Sequence, residues 1–440
     1  MSPTRAHTVP IDYPSDPQAR PVRSAMRLTG ALIFLYILVL VLFGQNPKTE
    51  TFVMPAALAL AFVFFVELIG LRRNFSIPAP LVWFAVYLGF SVFQMVWSPG
   101  SVGTLLLLVE IFVLALVVAN HEAHGGTGRV VAHSFYIAVL CTFAYNLFSN
   151  ETPLDGRIGS TLINANAYSQ VLMFGVLFAL RQWLVGSVRR KMDWKAVVAL
   201  LVFIGLSLYG IVDLTGSRKG IIMTIAASIL VVVYWVWQQP IRRRLLISVL
   251  VVVALAAIGY ALYQSPQTAR ISEISSFLQG GSVTDTGLAK RGGMLEDAVD
   301  LWLQRPFTGW GLDQFRNVSG WDTYSHDNYV ELLANQGIVG CLLYLMVYVS
   351  ALLSLARSLW RSKDAGLSAD VFWAMVVVIV MMGWDIGAVS YYDRLSWVVL
   401  SVAIAVSVRA RNRLRPPSTA FEDGRSRDRT LSGMLRGRRQ

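Results

Sequence analysis

Charge is scarce in this chain: only 15% of its 440 residues are Asp, Glu, Lys or Arg, against the quarter or so usual in soluble domains. That scarcity excludes an ordinary water-soluble globule. Cysteine is scarcer still. Cys141 and Cys341 are the whole complement, and each lies inside an apolar run, so they read as small core residues rather than a disulfide framework. Acidic residues number 26 against 38 basic ones, and the basic excess is uneven: residues 409–440 hold ten Arg against Glu422, Asp423 and Asp428. A Pro-, Ser- and Arg-rich stretch with so few apolar side chains is expected to be disordered and to lie against anionic lipid headgroups. No folded basic module accompanies it, which argues against nucleic-acid binding. The first 25 residues are polar and Pro-rich without an A-x-A-like cleavage site, so the first apolar run reads as a retained anchor.

What the chain has in abundance is apolar sequence: 55% of residues are hydrophobic and the mean hydropathy is +0.55. Runs long enough to cross a ~30 Å hydrocarbon layer as helices recur from end to end. We count twelve, at about 26–43, 52–70, 80–97, 103–119, 131–148, 166–186, 196–212, 219–237, 245–263, 337–357, 371–389 and 395–409. The expected fold is therefore an all-α polytopic membrane protein of about 12 transmembrane helices. Residues 1–25 form a polar cytoplasmic segment, 26–409 the membrane domain with a partly helical outer loop at 264–336 between helices 9 and 10, and 410–440 a basic cytoplasmic tail.

Lys and Arg in short loops favour the cytoplasmic side. One registration gathers them: Arg20, Arg23 and Arg27 precede span one, Arg72 and Arg73 follow span two, Arg242 to Arg244 follow span eight, and Arg357, Arg361 and Lys363 follow span ten. Both termini are then cytoplasmic, and 149–165, 213–218 and 264–336 face outward. Arg157, Arg218 and Arg291 sit in those three outer segments, against the trend. One such residue is ordinarily a lipid-phosphate contact, but three in separate loops alongside His326 point to an anion site.

The long outer loop carries local order. In RGGMLEDAVDLWLQRP (291–306), Leu295, Ala298, Leu301 and Trp302 share one face while Glu296, Asp297, Asp300 and Gln304 share another, which predicts an amphipathic helix on the membrane surface, stopped by Pro306. FTGWGLDQF (307–315) follows as a Gly-permitted turn, then SHDNYVELLANQGIVG (325–340) leads at helical spacing into the next apolar run.

These residues resemble the O-antigen ligase and polymerase superfamily, bacterial membrane glycosyltransferases that use polyprenyl-diphosphate-linked glycans. The family's ligase signature is His, then Asn, Ser or Gln, nine arbitrary residues, Gly, two more, and Gly, Thr or Tyr. Here it reads His326, Asp327, residues 328–336, Gly337 and Gly340, with Asp in the second place. LTGSRKG (214–220) is similar to the family's Arg turn before a span. Arg291 with Leu295 resembles its R-x-x-x-L element, and Pro306, Gly309 and Gly311 its P-x-x-G-x-G-like turn. GRIGSTLINANAYS (156–169) is similar to its Arg and N-P-N segment, with Ala165 in place of the proline.

The resemblance implies an inverting, metal-independent glycosyltransferase without cofactor, acting on the periplasmic face of the bacterial inner membrane. Its donor is a polyprenyl (undecaprenyl) diphosphate-linked glycan, and its acceptor is a lipid A-core sugar in ligation or the growing glycan in polymerisation. Charge growing on the departing diphosphate calls for guanidinium groups, for which Arg218 and Arg291 are the candidates, supported by Lys219 and Arg157. Histidine titrates near working pH, so His326 is the candidate base, with Asp327 or Asp322 to orient it. Asn166 is a candidate sugar contact.

Other readings stay open at this point. His326 would serve as a helix cap, Arg291 as a partner of Glu296, and Asn164 and Asn166 as helix-start residues. The roles of Asp385 and Glu110, acids within apolar spans, are open: Asp385 could reach Arg394 or an outer-face arginine, whereas Glu110 has no evident partner. HEAH (121–124) is one residue short of the zinc helix H-E-x-x-H. A secondary transporter of a small anion is the rival class, though no inverted repeat is visible and the candidate residues cluster in outer loops.

Overall fold

A helix that meets lipid on one side and protein on the other needs apolar residues all round, and its buried stripe is set by its neighbours rather than by polarity. The computed structural model shows this arrangement; it describes residues 27–44, 52–70, 75–126, 128–148, 164–189, 193–241, 243–244 and 286–414. Thirteen α-helices run in order among the described residues: α1 (Arg27–Phe43), α2 (Val53–Gly70), α3 (Ala79–Gln94), α4 (Val102–His121), α5 (Arg129–Phe148), α6 (Ala165–Val188), α7 (Trp194–Tyr209), α8 (Arg218–Trp237), α9 (Thr286–Gln304), α10 (Phe315–Val318), α11 (Asn328–Arg361), α12 (Ala365–Asp385) and α13 (Arg394–Leu414). Nine of them are long and apolar enough to cross a membrane, and Leu28–Phe43 and Ala79–Gln94 are shorter apolar helices. The protein is an all-α polytopic membrane protein. On α2, Val53, Ala57, Leu60 and Phe64 are buried while Leu58, Phe62, Val66 and Ile69 are exposed, a lipid-facing stripe opposite a packed one. The ninth expected span, 245–263, lies outside the described residues, as do Arg157 and positions 415–440.

Side-chain contacts fix how the helices alternate. At one end, Thr29 of α1 bonds Glu67 of α2, Asn120 of α4 bonds Ser76 just before α3, and Trp183 of α6 packs on Trp235 of α8 with centroids 4.9 Å apart. Asp370 near the start of α12 pairs there with Arg181 at 2.7 Å and with Arg409 at 3.1 Å, and Glu122 accepts the Gly128 amide. His124 of the HEAH stretch bonds the Asn120 carbonyl. The far ends of α1, α3 and α12 and the starts of α4, α6, α8, α11 and α13 gather at the opposite end with the 286–327 segment.

That segment is held by backbone hydrogen bonds as well as by a small apolar cluster. The amphipathic helix forms as α9, longer at its start than the sequence pattern indicates, and buries Met294, Ala298 and Leu301 against Phe315 and Ala334. Pro306 follows its end. The next turn then docks onto a break in α11, where Gly337 adopts φ 64° and ψ −172°. Trp310 N donates to Ala334 O at 3.0 Å, Gly311 N to Asn335 O at 2.7 Å, and Ile338 N to Pro306 O at 2.8 Å. Gln94, at the end of α3, caps the junction by donating to Thr308 O and, at 2.9 Å, to Asn335 O. A Cβ on Gly309 would come 2.5 Å from the Asn335 and Gln336 backbone, and one on Gly337 would overlap Phe307. The spaced glycines therefore let two main chains exchange hydrogen bonds at contact distance.

Several boundaries differ from the sequence reading, among them α11, which runs Asn328–Arg361 where 337–357 was expected. The eleventh span ends at Asp385, so 386–389, read as membrane helix, form instead a turn with Ile386 extended and Gly387 at φ 87°. Helix α13 continues to Leu414, so 410–414 are helical rather than part of the tail.

Candidate functional site

The helix ends at the 286–327 side surround a cavity of about 340 Å³. Its walls come from the end of α1, the start of α6, the start of α8, the 324–326 stretch and the turn between α12 and α13. Lys219, His326, Asn166, Arg394, Tyr324 and Trp384 are among the lining residues.

Local sequence explains each placement. Ser217 caps α8 by accepting from Gly220 N at 3.3 Å, and its hydroxyl donates to Asn166 Oδ1 at 3.1 Å. Asn164 caps α6, accepting from Asn166 N at 2.8 Å. Gly220 lets the two helix starts approach, since a Cβ there would lie 2.9 Å from Ser169. Lys219 is thereby delivered to the cavity. Its ammonium donates to Gly387 O at 3.0 Å and sits 3.8 Å above the Trp384 ring, so the charge has a carbonyl and a π face in place of water.

His326 occupies the left-handed region at φ 64°, a conformation costing a non-glycine residue of order 1–3 kcal/mol. Hydrogen-bonded groups on either side hold it there. Glu331, in the first turns of α11, reaches back so that its Oε2 accepts from Ser325 N at 2.7 Å and Ser325 Oγ at 3.0 Å. Asp327 caps α11, accepting from Tyr329 N and Val330 N, each at 3.0 Å. The ring packs edge-to-face on Tyr324 with centroids 4.4 Å apart. Burial pushes the imidazole pKa down, and Arg291, Lys219 and Lys290 push it further, to about 4. Neutral imidazole is the form that accepts a proton.

The candidates separate in space. Lys219, Asn166 and His326 line the cavity, and Arg291 is near enough to act on His326, Lys219 and Tyr324 electrostatically. Arg218 opens α8 beside Lys219 but outside the lining. The Asp327 carboxylate is committed to the helix cap, and Asp322 is exposed at φ 54°. Asp385 does not reach Arg394. Arg394 instead forks onto Glu110, with Nε to Oε1 and Nη2 to Oε2 both at 2.9 Å, because α4 and α13 pack together while Asp385 is turned toward α11. Glu110 thus gains the partner that the sequence did not reveal, and Tyr36 OH also donates to it at 3.4 Å.

Several lining groups escaped the sequence reading: Tyr324, Gln170, Trp384, Tyr392, Asp393 and Arg394. Arg394 carried a usable signal. It is a basic residue on the outer side of the registration, the same anomaly that singled out Arg157, Arg218 and Arg291. Glu331 and Gln170 carried none, since each looks like one more polar residue in a helix.

The cavity combines cations, a neutral base and amides. Such a set suits an anionic leaving group joined to a polyhydroxylated ligand. Among known families, residues 206–345 match the family model described as O-antigen ligase, which supports membership of the O-antigen ligase superfamily. The match takes in His326, Arg218, Lys219 and Arg291, and it supports a membrane glycosyltransferase of the ligase or polymerase type. No curated protein matches the chain.

Proposed function

We propose that this chain transfers a preassembled glycan from a polyprenyl diphosphate to a sugar hydroxyl, and that the acceptor is a lipid A-core sugar, as in O-antigen ligation. The observation that carries this is a neutral imidazole, His326, in one cavity with the Lys219 ammonium and within the field of Arg291. The same end of the molecule gathers outer-loop basic residues, whereas Arg181, Arg189, Lys195, Arg361 and Arg413 fall at the other end. By the charge rule the cavity then opens on the periplasmic side of the inner membrane, with both termini cytoplasmic.

In this scheme Arg218, Arg291 and Lys219 hold the diphosphate, with Arg157 as a further cation. The acceptor oxygen attacks the anomeric carbon from the face opposite the carrier. The carbon–oxygen bond to the diphosphate breaks, and its electron pair leaves on the diphosphate, where the cations stabilise it. The acceptor's proton passes to His326. The configuration inverts, and no metal is required. Asp327 stands where ligases carry an amide or hydroxyl, which keeps polymerisation of repeat units on the same carrier as the second reading.

The test is reconstitution of the purified protein with a polyprenyl-diphosphate glycan and a lipid A-core acceptor. Arg218→Ala, Arg291→Ala and His326→Ala are each expected to abolish product while leaving folded protein; full activity in any one removes that residue from the site. Cell envelopes of a deletion strain separate the two readings on a gel, since loss of a ligase leaves polymer on the carrier and loss of a polymerase leaves single repeats.

A further inference from the structure

The cavity has two walls that no covalent connection keeps in register. One is the 324–326 stretch with the imidazole. The other is the 386–393 turn, some sixty residues further along the chain, whose Gly387, Ala388, Val389 and Ser390 line the cavity and whose Gly387 carbonyl holds Lys219. A base must sit within about 3 Å of the hydroxyl it deprotonates, so the spacing between these walls matters to the chemistry.

One buried side chain bridges them. Asn328, wholly buried at the start of α11, accepts from both Ser390 N and Tyr391 N at 3.0 Å through Oδ1. Its Nδ2 donates to Asp385 Oδ2 at 3.1 Å. Asp385 is itself fully buried and accepts further hydrogen bonds from Tyr344 OH at 3.2 Å, Tyr348 OH at 3.0 Å and the Ser390 hydroxyl. An acid so placed is disfavoured unless donors surround it. Here the donors come from α11 and from the 386–393 turn, so satisfying the carboxylate also fixes those two pieces on each other.

We propose that Asn328 and Asp385 are positioning residues: they lock the His326 turn onto the 386–393 turn and so set where the base stands relative to the cationic wall. Neither lines the cavity. This assignment rests on the proposed glycosyl transfer for its kinetic readout and on the geometry alone for its spectroscopic one.

The polarity of the Asn328–Asp385 bond supplies the test. Asn328→Asp sets two carboxylates against each other, and Asp385→Asn offers amide hydrogens to donors. The reciprocal pair Asn328→Asp/Asp385→Asn restores a donor opposite an acceptor, and the carboxylate introduced on α11 can still accept from Ser390 N and Tyr391 N. Full-length protein in nanodiscs is assayed with the polyprenyl-diphosphate glycan and acceptor. Each single change is expected to lower kcat by roughly 10²-fold, the scale of a 1 Å misplacement, with carrier-lipid Kd within about threefold of wild type, and the pair is expected to regain at least about tenfold. In parallel, the ring signal of labelled His326, assigned by its loss in His326→Ala, is expected to move in both single variants and return in the pair. A wild-type kcat in either single variant, or a pair no better than the worse single with an unmoved ring signal, overturns the inference. Failure of wild type itself to turn over the glycan refutes the proposed function instead, and the ring signal then decides the positioning on its own.

Discussion

Replacing Gly337 by Ala tests why the signature glycine stands eleven residues after His326. Its φ of 64° and ψ of −172° fall in a region open essentially to glycine, which costs another residue about 1–3 kcal/mol. The new Cβ would also lie 2.5 Å from Thr308 N and closer still to the Phe307 carbonyl group. Those are backbone atoms, and moving them loosens Ile338 N to Pro306 O at 2.8 Å and Val339 N to Phe307 O at 3.3 Å, bonds worth about 1 kcal/mol each. With overpacking of about 1–3 kcal/mol, the expected loss is about 4–8 kcal/mol. Gly320 provides the control: it has φ 76° and nothing within 4 Å of an added Cβ, so Gly320→Ala incurs only the conformational part, about 1–3 kcal/mol. Equilibrium unfolding of the purified protein in mixed micelles with rising SDS fraction measures both. If Gly337→Ala came within about 1 kcal/mol of Gly320→Ala, the docking of the 306–311 turn onto the α11 break would not be what demands glycine.

Three further outcomes follow from the charges. His326 binds its proton less readily folded, near pH 4, than unfolded, near 6.5; the unfolded chain therefore holds the extra proton between those values, and stability is lost as pH falls through that window. His326→Gln is expected to flatten this acid dependence. For the same reason Lys290→Ala, which removes an exposed cation that depresses the imidazole, is expected to move the acid limb of kcat/KM to higher pH; an unmoved or downward limb would contradict that field. Glu110 and Arg394 have side chains only 12% and 14% exposed. Glu110→Gln removes the carboxylate onto which the guanidinium forks and is expected to cost about 3 kcal/mol, whereas Glu110→Gln/Arg394→Gln is expected to lose less than the sum of its parts in the same micelle titration; simple additivity would show that the two do not act as a pair.

Whatever depends on composition and on short-range pattern can be read along the chain. Lipid admits few backbone solutions, so long apolar runs had to become helices, and the order of the described helices and the amphipathic helix ahead of Pro306 were legible from hydropathy alone. The charge rule also separated the basic residues that turn out to lie at the cavity end from those at the other end, and His326 stood out by its place in a recognisable spacing. Tertiary structure decided everything that depends on which helices touch. That Glu110 takes Arg394, that Asp385 faces Asn328 and the tyrosines of α11, and that Asp327 spends its carboxylate on a helix cap are outcomes of packing between segments tens to hundreds of residues apart. A hydrogen bond acts over about 3 Å, and hydropathy along the chain carries no record of that distance.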